Sequence, residues 1–161
     1  MCTMQSVPYL LTVLLIVASD RLTKVLVVKN LPYLSAVDIS PYLSIVHARN
    51  YGGAFGFLSQ DSSAGYIFLV LPIIIICLLV YYLLRHRHTA TVMFALTCVL
   101  AGALGNMYDR LRFGYVTDFI DVYYKQYHWP AFNVADMSIS FGIGLWIFAQ
   151  IFLTKKVDRE D

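Results

Sequence analysis

Residues 65–84, 89–105 and 137–154 contain no charged side chain. Each run is close to the ~20 mostly apolar residues that a helix needs to cross the hydrocarbon of a bilayer, within a range of about 17 to 25. Backbone in that layer must satisfy its own hydrogen bonds, so helices follow and irregular structure is confined to the connections. Residues 7–28 form a fourth run of the same length, interrupted by Asp20, Arg21 and Lys24. The expected fold class is an α-helical integral membrane protein with four transmembrane helices. One membrane domain covers residues 1–161, with spans at about 7–28, 65–84, 89–105 and 137–154. Pro72 would kink the second span, which membrane helices tolerate.

Composition supports this reading. Of the 161 residues, 59% are hydrophobic and only 14% charged, against about a quarter charged in soluble domains. A net charge of +2 gives no reason to expect a nucleic-acid partner. Cys77 and Cys98 lie within apolar runs, and with Cys2 the count is odd, so neither a disulfide framework nor a metal-ligand spacing follows. Met1 to Ser6 carries no positive charge and no small-x-small cleavage site follows, so the first run is expected to stay as a helix.

Basic residues set the orientation. Arg85, His86, Arg87 and His88 fill the short turn between spans two and three, and Lys155, Lys156 and Arg159 follow span four. Four crossings put both clusters on one side, which the positive-inside rule makes cytoplasmic, together with both termini. The long connections, 29–64 and 106–136, then lie outside. They hold Asn50, Asn106, Asp109, Arg110, Asp118, Asp121, Asn133 and Asp136, and Asp20 and Lys24 fall in the outer half of span one. Most polar groups that topology does not explain thus converge on one face. The stretches around Tyr42 to Arg49 and Tyr115 to Tyr124 are rich in β-branched and aromatic residues, so a small sheet on the outer surface is expected.

Carboxylates carry the candidate chemistry. A carboxylate in low-dielectric surroundings is costly unless paired, protonated or used. Asp118 and Asp136, delivered from different segments to one membrane face, suggest a pair sharing one proton. Asp20 and Lys24 stand four apart and share a helix face, so they can pair; a structural pair and a direct role at the site both remain open. Arg21 is expected to turn outward. Asp109 and Arg110 are expected to pair with neighbours. Gly52, Gly53 and Gly56 beside Asn50 mark a tight turn, with no Gly-Lys-Ser/Thr to make it a phosphate loop. No zinc-binding His-Glu-x-x-His and no Gly-x-Ser-x-Gly elbow occurs. A proton-coupled transporter is the competing class, because ionisable groups in membrane spans mark ion pathways; against it, spans two to four carry no relay across the bilayer. A scaffold subunit without chemistry explains the cluster of Asn and Asp poorly.

Four blocks, Asp20-Arg-Leu-Thr-Lys24, Asn50-Tyr-Gly-Gly-Ala-Phe-Gly56, Gly105-Asn-Met-Tyr-Asp-Arg110 with Val116-Thr-Asp-Phe119, and Phe132-Asn-Val-Ala-Asp136, resemble the signature blocks of the bacterial lipoprotein signal peptidase (signal peptidase II) family. Gly53 and Arg21 depart from the family's more frequent alanine and glutamine. The resemblance implies a membrane aspartic endopeptidase of the bacterial inner membrane. Such an enzyme removes the signal peptide of diacylglyceryl-modified prolipoproteins, cutting just before the lipidated cysteine. It implies Asp118 and Asp136 as the catalytic pair, with Asp20, Lys24, Asn50, Gly52, Asn106, Asp109, Arg110 and Asn133 lining or supporting the site. No metal or organic cofactor is implied. The expected partners are lipidated prolipoproteins and membrane lipid, and the chain is expected to act as a monomer with its site facing the periplasm. The implied fold is four transmembrane helices with a small periplasmic β-sheet and a short periplasmic helix.

Overall fold

The computed structural model describes residues 7–52, 62–86 and 88–153. The glycine-rich block beyond Gly52, Arg87 and the basic tail at Lys155, Lys156 and Arg159 lie outside the described residues. In chain order the elements are α1 (Val7–Asn30), β1 (Ala36–Ser40), β2 (Leu43–Asn50), α2 (Ser62–Arg85), α3 (Ala90–Phe113), β3 (Val116–Tyr124), β4 (Tyr127–His128) and α4 (Val134–Phe148), which ends in a π-helical turn at Ala149–Leu153. No additional short α-helix occurs among the described residues.

Among the described residues, three helices are long and apolar enough to cross a membrane: Ile67–Arg85, Ala90–Phe113 and Val134–Leu153. Helix α1 is as long, at 24 residues, but carries Asp20, Arg21, Lys24 and Lys29. Helix α3 runs through Phe113 rather than ending near Gly105, where the apolar run meets Asn106. Thr89 caps its start, accepting from the Val92 N–H. Its end is set by Gly114, whose φ of 79° is left-handed backbone that glycine adopts without steric cost. The added turns bury Asn106 and Asp109 while Tyr108 and Leu111 stay exposed, so this part of α3 is polar on the inside.

Helix α3 sits centrally and packs against α1, α2 and α4. Small residues permit the close approach. A Cβ at Gly102 would collide with the Ala135 carbonyl oxygen on α4, and one at Gly142 with the Ala95 carbonyl oxygen on α3. A Cβ at Gly105 would lie 3.0 Å from Asp20 Oδ2 on α1. The three helices that carry acidic site residues are therefore drawn together at the sheet end of the bundle.

The strands form one antiparallel sheet in the order β1-β2-β3-β4. Strands β2 and β3 occupy the segments whose β-branched content marked them; β1, exposed throughout, and the two-residue β4 had no comparable signal. Ile45 pairs with Ile120 and Ala48 with Asp118, leaving Val46 and His47 opposite the single residue Phe119. This bulge bends β2 beside Asp118. On the other side, the Phe119 and Ile120 N–H groups both donate to the Phe132 carbonyl, at 3.0 and 2.8 Å. That clamp fixes the entry to α4 against β3.

Candidate active site

Asn133 is the residue on which the two candidate carboxylates meet. It is fully buried and stands at the N-cap of α4, where its side chain accepts from the Asp136 N–H at 3.0 Å. Asp136, in the first turn, accepts in return from the Asn133 N–H at 3.2 Å, completing a capping box. The Asn133 amide also donates to Asp118 Oδ1 at 2.6 Å. One asparagine thus binds Asp118 from β3 and Asp136 from α4. The Asn-x-x-Asp spacing that encodes this box is a helix-start signal visible in the sequence.

The two carboxylates differ in surroundings. Asp118 is 3% exposed, with the Asn133 and Asn50 amides as donors. Burial, and then the nearby Asp136 charge, push its pKa up to about 6 against the opposing pull of those amides and of Lys24. Asp136 is half-buried and accepts from Asn106 Nδ2 at 2.7 Å. It is the member of the pair that opens outward.

Beneath the pair lies a buried ion cluster. Lys24, with no exposed surface, contacts Asp20 Oδ2 at 2.7 Å and Asp109 Oδ2 at 3.0 Å, and donates to Asn106 Oδ1 at 3.1 Å. Asn106 in turn holds Asp136, so the ammonium reaches the pair through one amide. Asp20 accepts from the Ala135 N–H at 2.9 Å and so caps the start of α4 from α1. The Asp20–Lys24 pair expected from the i,i+4 spacing is present. Asp109 also accepts from the Thr117 N–H at 3.5 Å, tying α3 to the strand that carries Asp118. Arg21 does not turn away as expected: it reaches Asp109 Oδ1 at 3.4 Å and lies over the Tyr108 and Phe113 rings. A carboxylate and two aromatic faces from α3 outweigh solvent for a guanidinium at that position.

Asn50 ends β2 with its side-chain oxygen accepting from the Gly52 N–H at 2.9 Å, which leaves its amide for Asp118. Gly52 has φ 103°, and a Cβ there would run into the Phe68 side chain of α2, so glycine is required on both counts. Arg110 is half-buried within electrostatic range of Asp136, Asp118 and Asp109. It forms no ion pair among the described residues, and its buried Nε has no partner. Asp121 stays apart from the pair: it binds His128 Nδ1 at 2.8 Å, on the strand face that carries Tyr123, whose ring stacks on His128. Three residues from Asp118 is an odd offset, which turns the side chain to the opposite face. Among the described residues, no three His, Cys, Asp or Glu side chains cluster so as to hold a metal.

Fold and site together define a membrane-embedded protein built around two aspartates from separate elements, linked by one buried asparagine. Residues 12–152 match the family described as signal peptidase (SPase) II, and the chain belongs to that family. The lipoprotein signal peptidase of Syntrophotalea carbinolica is 41% identical, over 88% of this chain and 89% of its own length. That of Pasteurella multocida is 44% identical, over 80% and 79%. A bacterial membrane enzyme solved by the in meso method superimposes with a TM-score of 0.81 at 32% identity, covering 92% of this chain and 90% of its own.

Proposed function

We propose that this chain is a membrane aspartic endopeptidase that removes the signal peptide from diacylglyceryl-modified prolipoproteins, cutting just before the lipidated cysteine, with Asp118 and Asp136 as the catalytic pair. The family and its lipoprotein signal peptidase relatives support the cleavage of prolipoprotein signal peptides. The observation that carries the residue assignment is Asn133, hydrogen-bonded to both carboxylates at once.

In this reading Asp118 holds the shared proton, since burial and its neighbour favour its neutral form. Asp136 lies in the first turn of α4, where peptide dipoles present their positive ends to an anion, and serves as the ionised partner. Asp136 takes a proton from a water molecule, whose oxygen bonds to the scissile carbonyl carbon. Asp118 gives its proton to the carbonyl oxygen, so the tetrahedral species is a neutral diol. When the carbon–nitrogen bond breaks, the proton on Asp136 passes to the leaving amine and a diol proton returns to Asp118, leaving an acid, an amine and the pair as it began. Asn106 and Asn133 hold the carboxylates throughout, Lys24 neutralises Asp20 and Asp109 beneath them, and Arg110 supplies the positive field over the pair.

The same reading gives α1 the fourth crossing, its charges compensated by α3 and α4. Both termini are then cytoplasmic and the sheet with the site lies outside, on the positive-inside rule. The same reading takes the chain to act as a monomer. A cysteine at Lys125 and one at Arg85 should be labelled by an impermeant thiol reagent from opposite sides; labelling of both from one side would remove this topology. The function is tested by incubating purified protein with a prolipoprotein and measuring mass. Loss of the signal peptide from the diacylglyceryl form, with far slower cleavage of the unmodified form, is expected. Equal rates on both forms would show that the lipid is not recognised.

A further inference from the structure

We propose that the groove between the sheet ends of α1 and α3 binds the headgroup of an anionic phospholipid, at a site separate from the catalytic pair. A cavity of about 220 Å³ is lined there by Arg21, Val25, Val28 and Lys29 of α1 and by Phe113, Tyr115 and Thr117. Residues 21, 25, 28 and 29 fall at i, i+4, i+7 and i+8, so they form a single stripe on the helix. The stripe has a cation at each end and two valines between. Thr117 is the neighbour of Asp118 in β3, so its side chain lies on the opposite strand face and the groove does not open onto the pair.

Charge around the groove is unbalanced. Arg49 packs over the Tyr115 ring at 4.7 Å, and Arg112 lies 5.9 Å from the Phe113 ring centroid. Among the described residues, Lys29, Arg49 and Arg112 make no ion pair, and Arg21 shares its one carboxylate, Asp109, with Lys24. Helix C-termini attract cations, which accounts for Lys29 and Arg112 but not for the cavity between the helices. A phosphodiester fits it because Arg and Lys donors meet phosphate oxygens with charge-assisted hydrogen bonds. Acyl chains have a path along α1 beyond Arg21, where Leu10, Leu11, Leu14 and Leu15 are exposed. That apolar path favours a membrane phospholipid over a free anion, and basic pockets between membrane helices recur as headgroup sites.

The test uses full-length protein reconstituted in nanodiscs of equal parts phosphatidylglycerol and phosphatidylcholine, then released into mild detergent and weighed by native mass spectrometry. Phosphatidylglycerol should be retained in preference. The double substitution Arg21→Gln/Lys29→Gln should weaken that retention about 30-fold, the weight of two basic side chains at an anionic surface, without changing phosphatidylcholine. Val28→Trp, which fills the groove and keeps both cations, should abolish the preference as well and covers the case in which the double variant misfolds. Equal retention of the two lipids by the wild type, or an unchanged preference in either folded variant, would overturn the proposal. Displacement by inorganic phosphate at the lipid's own concentration would also overturn it, making this a free-anion site. The readout needs no cleavage, so its failure leaves the peptidase reading untouched.

Discussion

Helix α2 and the inner face of α3 near the sheet are built from opposite chemistry. The most apolar 18-residue window of Ile67–Arg85 has a mean hydropathy of 3.0 and none of its residues is fully buried. Most of its isoleucines and leucines face outward, Leu79 and Leu83 pack against the core at Val92 and Leu96, and among the described residues α3 is the helix packed closely against it. The most apolar 18-residue window of Ala90–Phe113 has a mean hydropathy of 1.7 and 56% of it is buried, and the helix brings Asn106 and Asp109 to partners on α1, α4 and β3. Apolar side chains in lipid need no particular neighbour, so α2 is held by insertion itself. A buried charge needs specific partners, and every one of them must be present. The first kind of helix tolerates substitution, and the second does not.

The sharpest test of that contrast is the pair itself. Asp118→Asn and Asp136→Asn are nearly isosteric and should insert normally, yet each should lower turnover of purified enzyme by at least ~10²–10⁴-fold, the cost of losing general acid or base action. Near-normal cleavage by either variant would end the aspartic mechanism for this protein.

Stability should follow the same division. Lys24→Met strands Asp20 and Asp109 without their buried cation and should cost about 3–5 kcal/mol, read as a collapse of the thermal transition in detergent. Ile74→Ala on the exposed face of α2 should shift that transition by less than about 1 kcal/mol, because no protein cavity is left to refill. Comparable losses from the two would mean that the ion cluster is not what holds the helices together.

A smaller, pH-dependent effect isolates Asp118. Its pKa is raised from 3.8 to about 6, so the folded state favours the protonated form. That contribution is fully present below the unfolded value and is lost as pH rises through about 6. Asp118→Asn cannot ionise, so its thermal stability relative to wild type should rise between about pH 4 and pH 7, approaching about 3 kcal/mol. A difference that does not vary with pH would mean that Asp118 titrates normally. In the wild-type enzyme, kcat/KM should fall as pH rises through the same region, as the general acid is lost.

Asp121→Asn should have the least effect. Its partner His128 is half exposed, such surface pairs contribute about 0–1 kcal/mol, and the side chain faces away from the pair. Cleavage should stay near wild type; a loss comparable to that of Asp118→Asn would show that the strand face had been misjudged.

Much of this was legible beforehand. The charge-free runs located the apolar helices, because hydrocarbon admits few alternatives. The four-residue spacing announced the Asp20–Lys24 pair, and β-branched content marked β2 and β3. The end of α3 was not legible: the apolar run stops before Asn106, whereas the helix continues because Lys24, Asn133 and Asp136 receive its polar face. Arg21 was misjudged for the same reason, since Asp109 is its neighbour only across two packed helices. Strand β1 is only five residues long and exposed along its length, so its short alternation, Val37 to Ser40, marks no buried face.

By itself the sequence determined the membrane class, the extent of the uncharged helical runs and the convergence of acidic and amide side chains on one face. These follow from solvent exclusion and local spacing. Only the tertiary structure decided that Asn133 binds Asp118 and Asp136 together and that Lys24 supports them through Asn106. Hydrogen bonds between elements distant in the chain leave no period in the sequence, and the burial that raises the proton affinity of Asp118 exists only once β3, α3 and α4 have packed around it.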